Sequence, residues 1–303
     1  MRVDPFYVNN LAASLDQAQS TEQQLTAELA SGVRVTSLSS DPEAAGENVL
    51  LLNQIQQDDS FTQTSSLVQG QLQVSDSALG SVVSQLTQAI TLATSANNGT
   101  LNSSDLQSIS NQIAGIRDEV QSLANTNYQG RYIFAGGQTG SVPFSTSNAA
   151  SPAVTSYNGD TDVNYLQTPN GQTIQLNVPG SQIFSGAGAN NVFTALNNLI
   201  ADYANGSNIG AAVNDTEALN TALNYVSSQR VIVDNSLTRL NSASEAVTGQ
   251  QTQLTAAQTN LMQADLPSIS THLSLAETQQ TALEDVISQL AQNNLFNKLP
   301  PGG

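Results

Sequence analysis

Carboxylates are the groups in this sequence most able to do chemistry, and three close pairs stand out among them. The pairs are Asp58 with Asp59, Asp160 with Asp162, and Glu284 with Asp285. Paired carboxylates can bind a divalent cation or exchange a proton with a substrate. No cysteine or histidine accompanies them, and Asp160 follows an Asn-Gly dipeptide typical of a hairpin turn. We interpret all three pairs as solvated surface or turn residues, and we predict no catalytic residue and no metal site.

The other reactive residue types are equally sparse. The chain has no cysteine, which excludes disulfides, thiolate zinc sites and a thiol nucleophile. His272 is the single histidine, and its position beside Leu273 in an amphipathic stretch indicates a structural or interface role. Gly136-Gly137 follows a strand-like stretch but lacks the glycine spacing of a phosphate-binding loop. We therefore predict a protein that is not an enzyme and uses no cofactor.

The charge balance narrows the possible partners. Seven Lys and Arg residues stand against 24 Asp and Glu residues, giving a formal net charge of −17. Nucleic acids and anionic membrane surfaces are poor partners for such a chain, because both attract clustered basic residues. The first residues also lack the apolar stretch and cleavage site of a secretory signal. Only 10% of the residues are charged, which favours packing against copies of the same chain, although a compositional bias explains it equally well.

A long apolar stripe near the C-terminus has the period of a helix that packs along other helices. Its members fall every seven residues: Val226, Val233, Leu240, Val247, Leu254 and Leu261. A helix of this length spans about 50 Å at a rise of about 1.5 Å per residue, so it needs a partner alongside it. Pro267 predicts a break near Asp265-Leu266, followed by a last amphipathic segment from Ile269 to Leu290.

The N-terminal part predicts three further helices. The first runs over about 8–30 and ends at Gly32, and the second begins at Asp41-Pro42 and continues to about residue 96. A third helix over about 104–123 is predicted to begin with a capping box formed by Ser104 and Gln107. A helix over 191–204 follows later, and Asn214 with Glu217 is predicted to start the long C-terminal helix.

The segment 131–189 changes from helical to extended patterns. It contains strand-forming residues and two Asn-Gly dipeptides, at Asn158-Gly159 and Asn170-Gly171, which predict hairpins. The fold class is therefore mainly α: a long antiparallel helical bundle or coiled coil formed by the N- and C-terminal segments, with a small inserted β-domain. Residues 41–130 and 190–267 would form the bundle domain, and residues 131–189 the β-domain.

The terminal segments 1–40 and 268–303 form the predicted assembly region. Each carries an amphipathic stripe without a local hydrophobic partner, so the two should pair with each other or with neighbouring copies, and we favour a role between subunits. Such helices should be mobile in the monomer, because only burial of the stripe offsets the entropy of ordering. The candidate assembly residues are Leu11, Leu15, Leu25, Leu29, Ile269, Leu273, Leu283 and Leu290.

Several motifs resemble the flagellin superfamily. Leu29 to Val35, followed by Ser40-Asp41-Pro42, is similar to the N-terminal region of that family. Tyr128 to Gly136, Tyr157 to Asp160 and the ending Asn294 to Leu299 resemble its hook-associated branch at the hook–filament junction, rather than the filament flagellins. The resemblance covers nearly the whole chain. The chain departs from the family at three places. Ser40-Asp41 replaces an acidic pair of the family, Pro267 is unexpected in the C-terminal acidic motif, and the Pro-Pro-Gly-Gly tail extends past the usual end.

This resemblance implies a structural adaptor of the bacterial flagellum. Such a protein is exported unfolded through the flagellar type III channel, lies outside the cell and polymerises into a ring between hook and filament. The implied partners are copies of itself, hook-associated protein 1, flagellin and the filament cap, and an export chaperone on the C-terminal segment. The alternatives are a filament flagellin, a secreted hydrolase on a helical stalk, which lacks a nucleophile–base pair, and a helical adhesin that binds through 131–189.

Overall fold

A computed structural model describes residues 5–35, 39, 41–186, 191–204 and 209–292, so the ending Asn294 to Leu299 lies outside the described residues. The chain divides into two compact units. One comprises Met1–Gln56 with Gln250–Gly303, and the other comprises Gln57–Gly249. The helices in the described part are α1 Pro5–Ser31, α2 Pro42–Ala96, α3 Ser103–Ala124, α4 Gly180–Phe184, α5 Val192–Ala204, α6 Ile209–Met262 and α7 Leu266–Gln292. The predicted class, mainly α with a small inserted β region, is confirmed. The finer domain boundaries stay predictions.

Capping side chains set several of the helix ends, not always the predicted ones. The break before Pro267 is present, and Asp265 accepts a hydrogen bond from the backbone nitrogen of Ser268 at 3.3 Å. The capping box at Ser104 was wrong: Asn102 is the N-cap of α3, and its side-chain oxygen accepts from the nitrogen of Asp105. Asn214 also does not start α6, which already begins at Ile209, because the preceding turn buries Ala212 in the core.

Within the described residues, six short strands form three separate antiparallel pairs. They are β1 Asn127–Tyr128 with β2 Arg131–Tyr132, β3 Phe144–Ser147 with β4 Val154–Tyr157, and β5 Tyr165–Gln167 with β6 Thr173–Gln175. The predicted turn at Asn170-Gly171 joins β5 to β6, with Gly171 at a φ of +80° that favours glycine. The predicted hairpin at Asn158-Gly159 was wrong, because that dipeptide follows β4 and leads into an irregular loop.

The core of the unit 57–249 joins the helices to the β segment. The apolar stripes of α2 and α6 bury Leu72, Leu79, Val226 and Val233 almost completely. A cluster of four phenylalanines then connects the strands to α5, and the rings of Phe144 and Phe193 lie 5.1 Å apart. Edge and tilted ring contacts of this kind add to the stabilisation from burial alone. The β segment is thus built on the helices and has no separate core.

Candidate assembly interface

The two chain-end helices, α1 and α7, pack against each other in the unit that contains both chain ends. Their direction is antiparallel, because a bridge joins Val33, just after α1, to Gln263, just before α7. The nitrogen of Arg34 donates to the oxygen of Met262 at 2.7 Å, and the nitrogen of Ala264 donates to the oxygen of Gly32 at 3.1 Å. The two stripes therefore pair with each other within the chain, which is one of the two arrangements predicted from the sequence, and their role between subunits stays a prediction.

The candidate assembly residues lie on or beside the seam between α1 and α7. Ile269 is buried, whereas Leu29 is 37% exposed. The others are half-buried: Leu11, Leu15, Leu25, Leu273, Leu283 and Leu290. A seam that leaves most of its leucines half-buried is only partly covered by one chain. The hydrophobic effect scales with the apolar area removed from water, so further burial by another subunit would stabilise this pair.

The seam itself is narrow because small and polar residues occupy several of its positions. Ala18 and Ala276 are buried there, and a groove of about 400 Å³ opens beside them. Glu28 is also buried, and its carboxylate accepts a hydrogen bond from the Gln24 side chain at 2.9 Å. Leu275 and Val286 of α7 remain exposed. The pair thus presents uncovered apolar side chains next to a shallow groove, as expected of a surface that another chain covers.

Arg34 holds together the segments next to this seam. Its guanidinium lies 2.8 Å from the Asp41 carboxylate and donates to the backbone oxygen of Leu261 at 3.3 Å. The other oxygen of Asp41 accepts from the nitrogen of Ala44 and caps α2. This backbone hydrogen bond, and then the one from Arg34, lower the pKa of Asp41. We call Arg34 and Asp41, with the backbone bonds at Gly32–Arg34, the latch.

Sequence analysis missed the latch. Its signal was an arginine seven residues before an aspartate that can cap the next helix, with Gly32 two residues before the arginine. In the structure Gly32 has a φ of +68°. The third partner, the carbonyl group of Leu261, lies 227 residues away in the sequence. Backbone acceptors carry no sequence signature, so only the tertiary structure identifies the latch.

The carboxylate pairs are not brought into a reactive site. Asp160 lies in a loop, where its Oδ1 accepts from the nitrogens of Gly137 and Asp162 at 2.6 and 3.0 Å. Glu284 and Asp285 are exposed on α7, as is His272. The prediction of a solvated position was wrong for Asp58, which is fully buried on the packed face of α2, whereas Asp59 is exposed. Within the described residues, no three His, Cys, Asp or Glu side chains converge as metal ligands.

Buried or bridging arginines also link helices in the unit 57–249. Arg117 is buried and binds the Asp118 carboxylate at 2.7 Å, and its guanidinium also reaches the side-chain oxygen of Asn197 on α5 at 3.3 Å. Arg230 on α6 makes two bonds to Asp76 on α2, at 2.6 and 3.0 Å. The bonds of Arg117 to Asn197 and of Arg230 to Asp76 each join two helices. Across the described part, none of the helices combines the length and apolarity needed to cross a bilayer.

Comparison with known proteins gives consistent similarities. Residues 6–139 match the family model of the bacterial flagellin N-terminal helical region. The chain is 28% identical to flagellar hook-associated protein 3 of Salmonella typhimurium over 304 residues, which covers 92% of each chain. A solved structure assigned to the flagellar hook-associated proteins of Vibrio parahaemolyticus has a TM-score of 0.66 at 21% identity, covering 74% of this chain and 100% of that chain.

A second solved structure has a similar fold. The flagellar junction protein FlgL from Legionella pneumophila has a TM-score of 0.57 at 14% identity, and the match covers 72% of this chain and 100% of that chain. At these identities, both structural matches show the fold alone.

Proposed function

We propose that this chain is a member of the flagellin superfamily, whose N-terminal helical region residues 6–139 match, and that it is a structural component of the bacterial flagellum at the junction between hook and filament. The observation that carries this proposal is the match to a hook-associated protein 3 over 92% of both chains. A match over 92% of the chain extends beyond the N-terminal helical region into the β segment and the C-terminal helices.

The chain-end helices support an assembly role. The half-buried leucines of the α1–α7 seam and the exposed Leu29, Leu275 and Val286 would be covered by neighbouring subunits. We propose that the eight candidate assembly residues, with Leu275 and Val286, form contacts between copies in a ring. Burial of apolar area would then stabilise the assembled form more than the monomer.

The partners and the route follow from the same proposal. The ring would contact hook-associated protein 1 on one side and flagellin or the filament cap on the other. Export would take place through the flagellar type III channel, without a cleavable signal and with a chaperone on the C-terminal segment. The absence of cysteine suits this route, because no disulfide can form before or during transit.

Labelling on isolated flagella tests the proposal. A fluorescent label on this chain, expressed in a strain that lacks its own hook-associated protein 3, should give one spot per flagellum at the base of the filament and restore filament growth. Label along the filament would instead support a filament flagellin. Purified protein added to flagellar seeds provides the second readout: a junction protein should not extend them into long filaments.

A further inference from the structure

A groove of about 490 Å³ in the unit 57–249 has no role in the packing described above. Three elements line it: α2 through Leu67, the β1–β2 pair through Tyr128 and Arg131, and β5 through Tyr165. Leu67 is 58% exposed and Tyr165 is 61% exposed. Tyrosine and arginine beside exposed apolar area are the residues that dominate the binding energy of protein interfaces. We call this surface the tyrosine groove.

Arg131 gives the groove its charge. Its Nε donates to the Thr139 hydroxyl at 3.1 Å, and no carboxylate lies within ion-pair distance of it in the described part of the chain. Arg34, Arg117 and Arg230, by contrast, each have an aspartate partner. In a chain with a net charge of −17, an arginine without a carboxylate beside an apolar groove favours an acidic partner with an apolar side chain.

The first turns of α2 provide a surface of that chemistry. Leu50 is 70% exposed, the highest exposure among the large apolar side chains of the described residues. Glu43 and Glu47, both exposed, lie seven and three residues before it and therefore share its face of the helix. Gly46 lies on the same face and adds no side chain that would hinder close approach. We call this surface the acidic ridge.

We propose that the tyrosine groove of one copy binds the acidic ridge of a second copy, with Leu50 inserted between Leu67 and Tyr165 and Glu47 paired with Arg131. The inference rests on the proposed function, because it names a contact through which copies in the ring would meet. Two different patches make this interface heterologous, which is the type that builds rings and helical assemblies. It is separate from the contacts proposed for α1 and α7.

Disulfide trapping tests the contact directly, since the chain has no cysteine of its own. Full-length protein with Asn53→Cys, one turn beyond Leu50, is mixed with full-length protein carrying Asn164→Cys, a residue that lines the groove. The matched control pairs Asn53→Cys with Asn111→Cys, an exposed residue of α3 outside the groove. After oxidation, the groove pair should give at least about fivefold more mixed dimer than the control, the difference expected for one strong contact residue.

Charge reversal then tests the chemistry. Glu47→Arg in the ridge copy, or Arg131→Glu in the groove copy, should each lower the trapped dimer about fivefold. The two reversals together should restore the yield of trapped dimer. Glu119→Arg, at an exposed position of α3, should have no effect on it. Circular dichroism of each variant checks that the fold is retained.

Two results overturn the inference: trapping no greater than in the Asn111 control, or no restoration by the double reversal. Either result leaves the junction proposal intact if the unmodified chain still locates to the base of the filament. If labelling fails as well, the proposed function is wrong, so the two failures are distinguishable.

Discussion

Asp58 is the residue whose environment conflicts most with its chemistry. It is fully buried on the packed face of α2, and neither carboxylate oxygen has a hydrogen-bond partner. Burial, and then the neighbouring charge of Asp59, raise the pKa of Asp58. A carboxylate without a partner is costly to bury, because nothing replaces its hydration. Such a polar position in a helical seam is tolerated where it fixes the register of the helices.

Replacement of Asp58 should therefore stabilise the protein. The folded state favours the protonated carboxyl, so the contribution of Asp58 to stability should be most favourable below its unfolded pKa and be lost as the pH rises through the raised folded pKa. Asp58→Asn should remove this loss and raise the free energy of unfolding at pH 7. Urea unfolding at pH 4 and pH 7 measures it, with the exposed Asp16→Asn as control. Equal pH dependence in both variants would contradict the assignment.

A close contact explains a glycine in the middle of α2. A methyl group at Gly70 would collide with the hydroxyl of Tyr128, whereas one at Gly249 in α6 would meet nothing within 4 Å. Alanine is favoured over glycine in helices by about 1 kcal/mol, so the two positions should respond with opposite signs.

We expect Gly249→Ala to stabilise the protein by about 1 kcal/mol and Gly70→Ala to destabilise it by about 1–3 kcal/mol, the usual cost of overpacking. Adding Tyr128→Phe to Gly70→Ala removes the colliding hydroxyl and should recover most of the loss. Thermal unfolding of the three variants measures these changes. Stabilisation by Gly70→Ala alone would show that the tyrosine moves aside freely.

At the scale of elements, the latch controls where α1 meets α7. Arg34 and Asp41 are each partly exposed, so their ion pair is screened by water and contributes little to global stability. Its effect should instead be local, on the start of α2 and the end of α6, which the Arg34 side chain ties together.

Arg34→Ala should accordingly increase amide exchange in the first turn of α2 and the last turn of α6 by about two- to fivefold, the range for a partly exposed pair. The melting temperature should hardly change. Arg34→Lys keeps the charge but loses the forked geometry, so its amide exchange should lie between that of the wild type and that of Arg34→Ala. Hydrogen exchange with mass spectrometry resolves these segments, and an effect spread evenly over the chain would contradict a local latch.

The phenylalanine cluster makes the β segment part of the helical unit. Phe144 is 1% exposed and touches Phe184, Phe193 and Tyr157 with ring centres 5.3, 5.1 and 5.0 Å apart. Deletion of 131–189 would therefore uncover Phe193 on α5. Such a deletion would not cleanly separate an adhesin from an assembly protein, because the helices would lose part of their core.

Phe144→Ala should destabilise the unit 57–249 by about 3–5 kcal/mol, as large truncations in cores do. Val142→Ala, at an exposed position two residues earlier, should cost less than about 0.5 kcal/mol. Denaturant unfolding of the two variants measures the difference. Similar small costs for both would mean that the cluster repacks around the missing ring.

The whole molecule combines a strong core with a weak terminal pair. The unit 57–249 buries large apolar and aromatic residues, whereas α1 contributes only Ala18 and Glu28 as buried residues in its described part. A pair of helices with such a narrow seam gains little from burial to offset its ordering entropy. The pairing of α1 with α7 is therefore compatible with frequent opening in a dilute monomer.

Amide exchange should then be fast in 1–40 and 268–303 of the monomer and slow in the unit 57–249. Assembly with flagellar partners should slow exchange at both ends, because neighbours cover the half-buried leucines. Mass-resolved exchange at low protein concentration, with and without added flagellar seeds, measures both states. Strong protection of both ends in the dilute monomer would contradict a role of these helices that depends on neighbours.

The sequence by itself determined the helices, their main breaks and the fold class. Heptad spacing, Gly32, Pro42 and Pro267 act through neighbours in the chain, so they can be recognised locally. Only the tertiary structure decided which stripes face each other, how the strands pair, and that Asp58 is buried without a partner. The hydrogen bond from Arg34 in the latch to a carbonyl 227 residues away was likewise decided only by the tertiary structure. These features depend on contacts between distant segments. An amphipathic stripe predicts that a helix face is buried, but it does not identify the segment that covers that face.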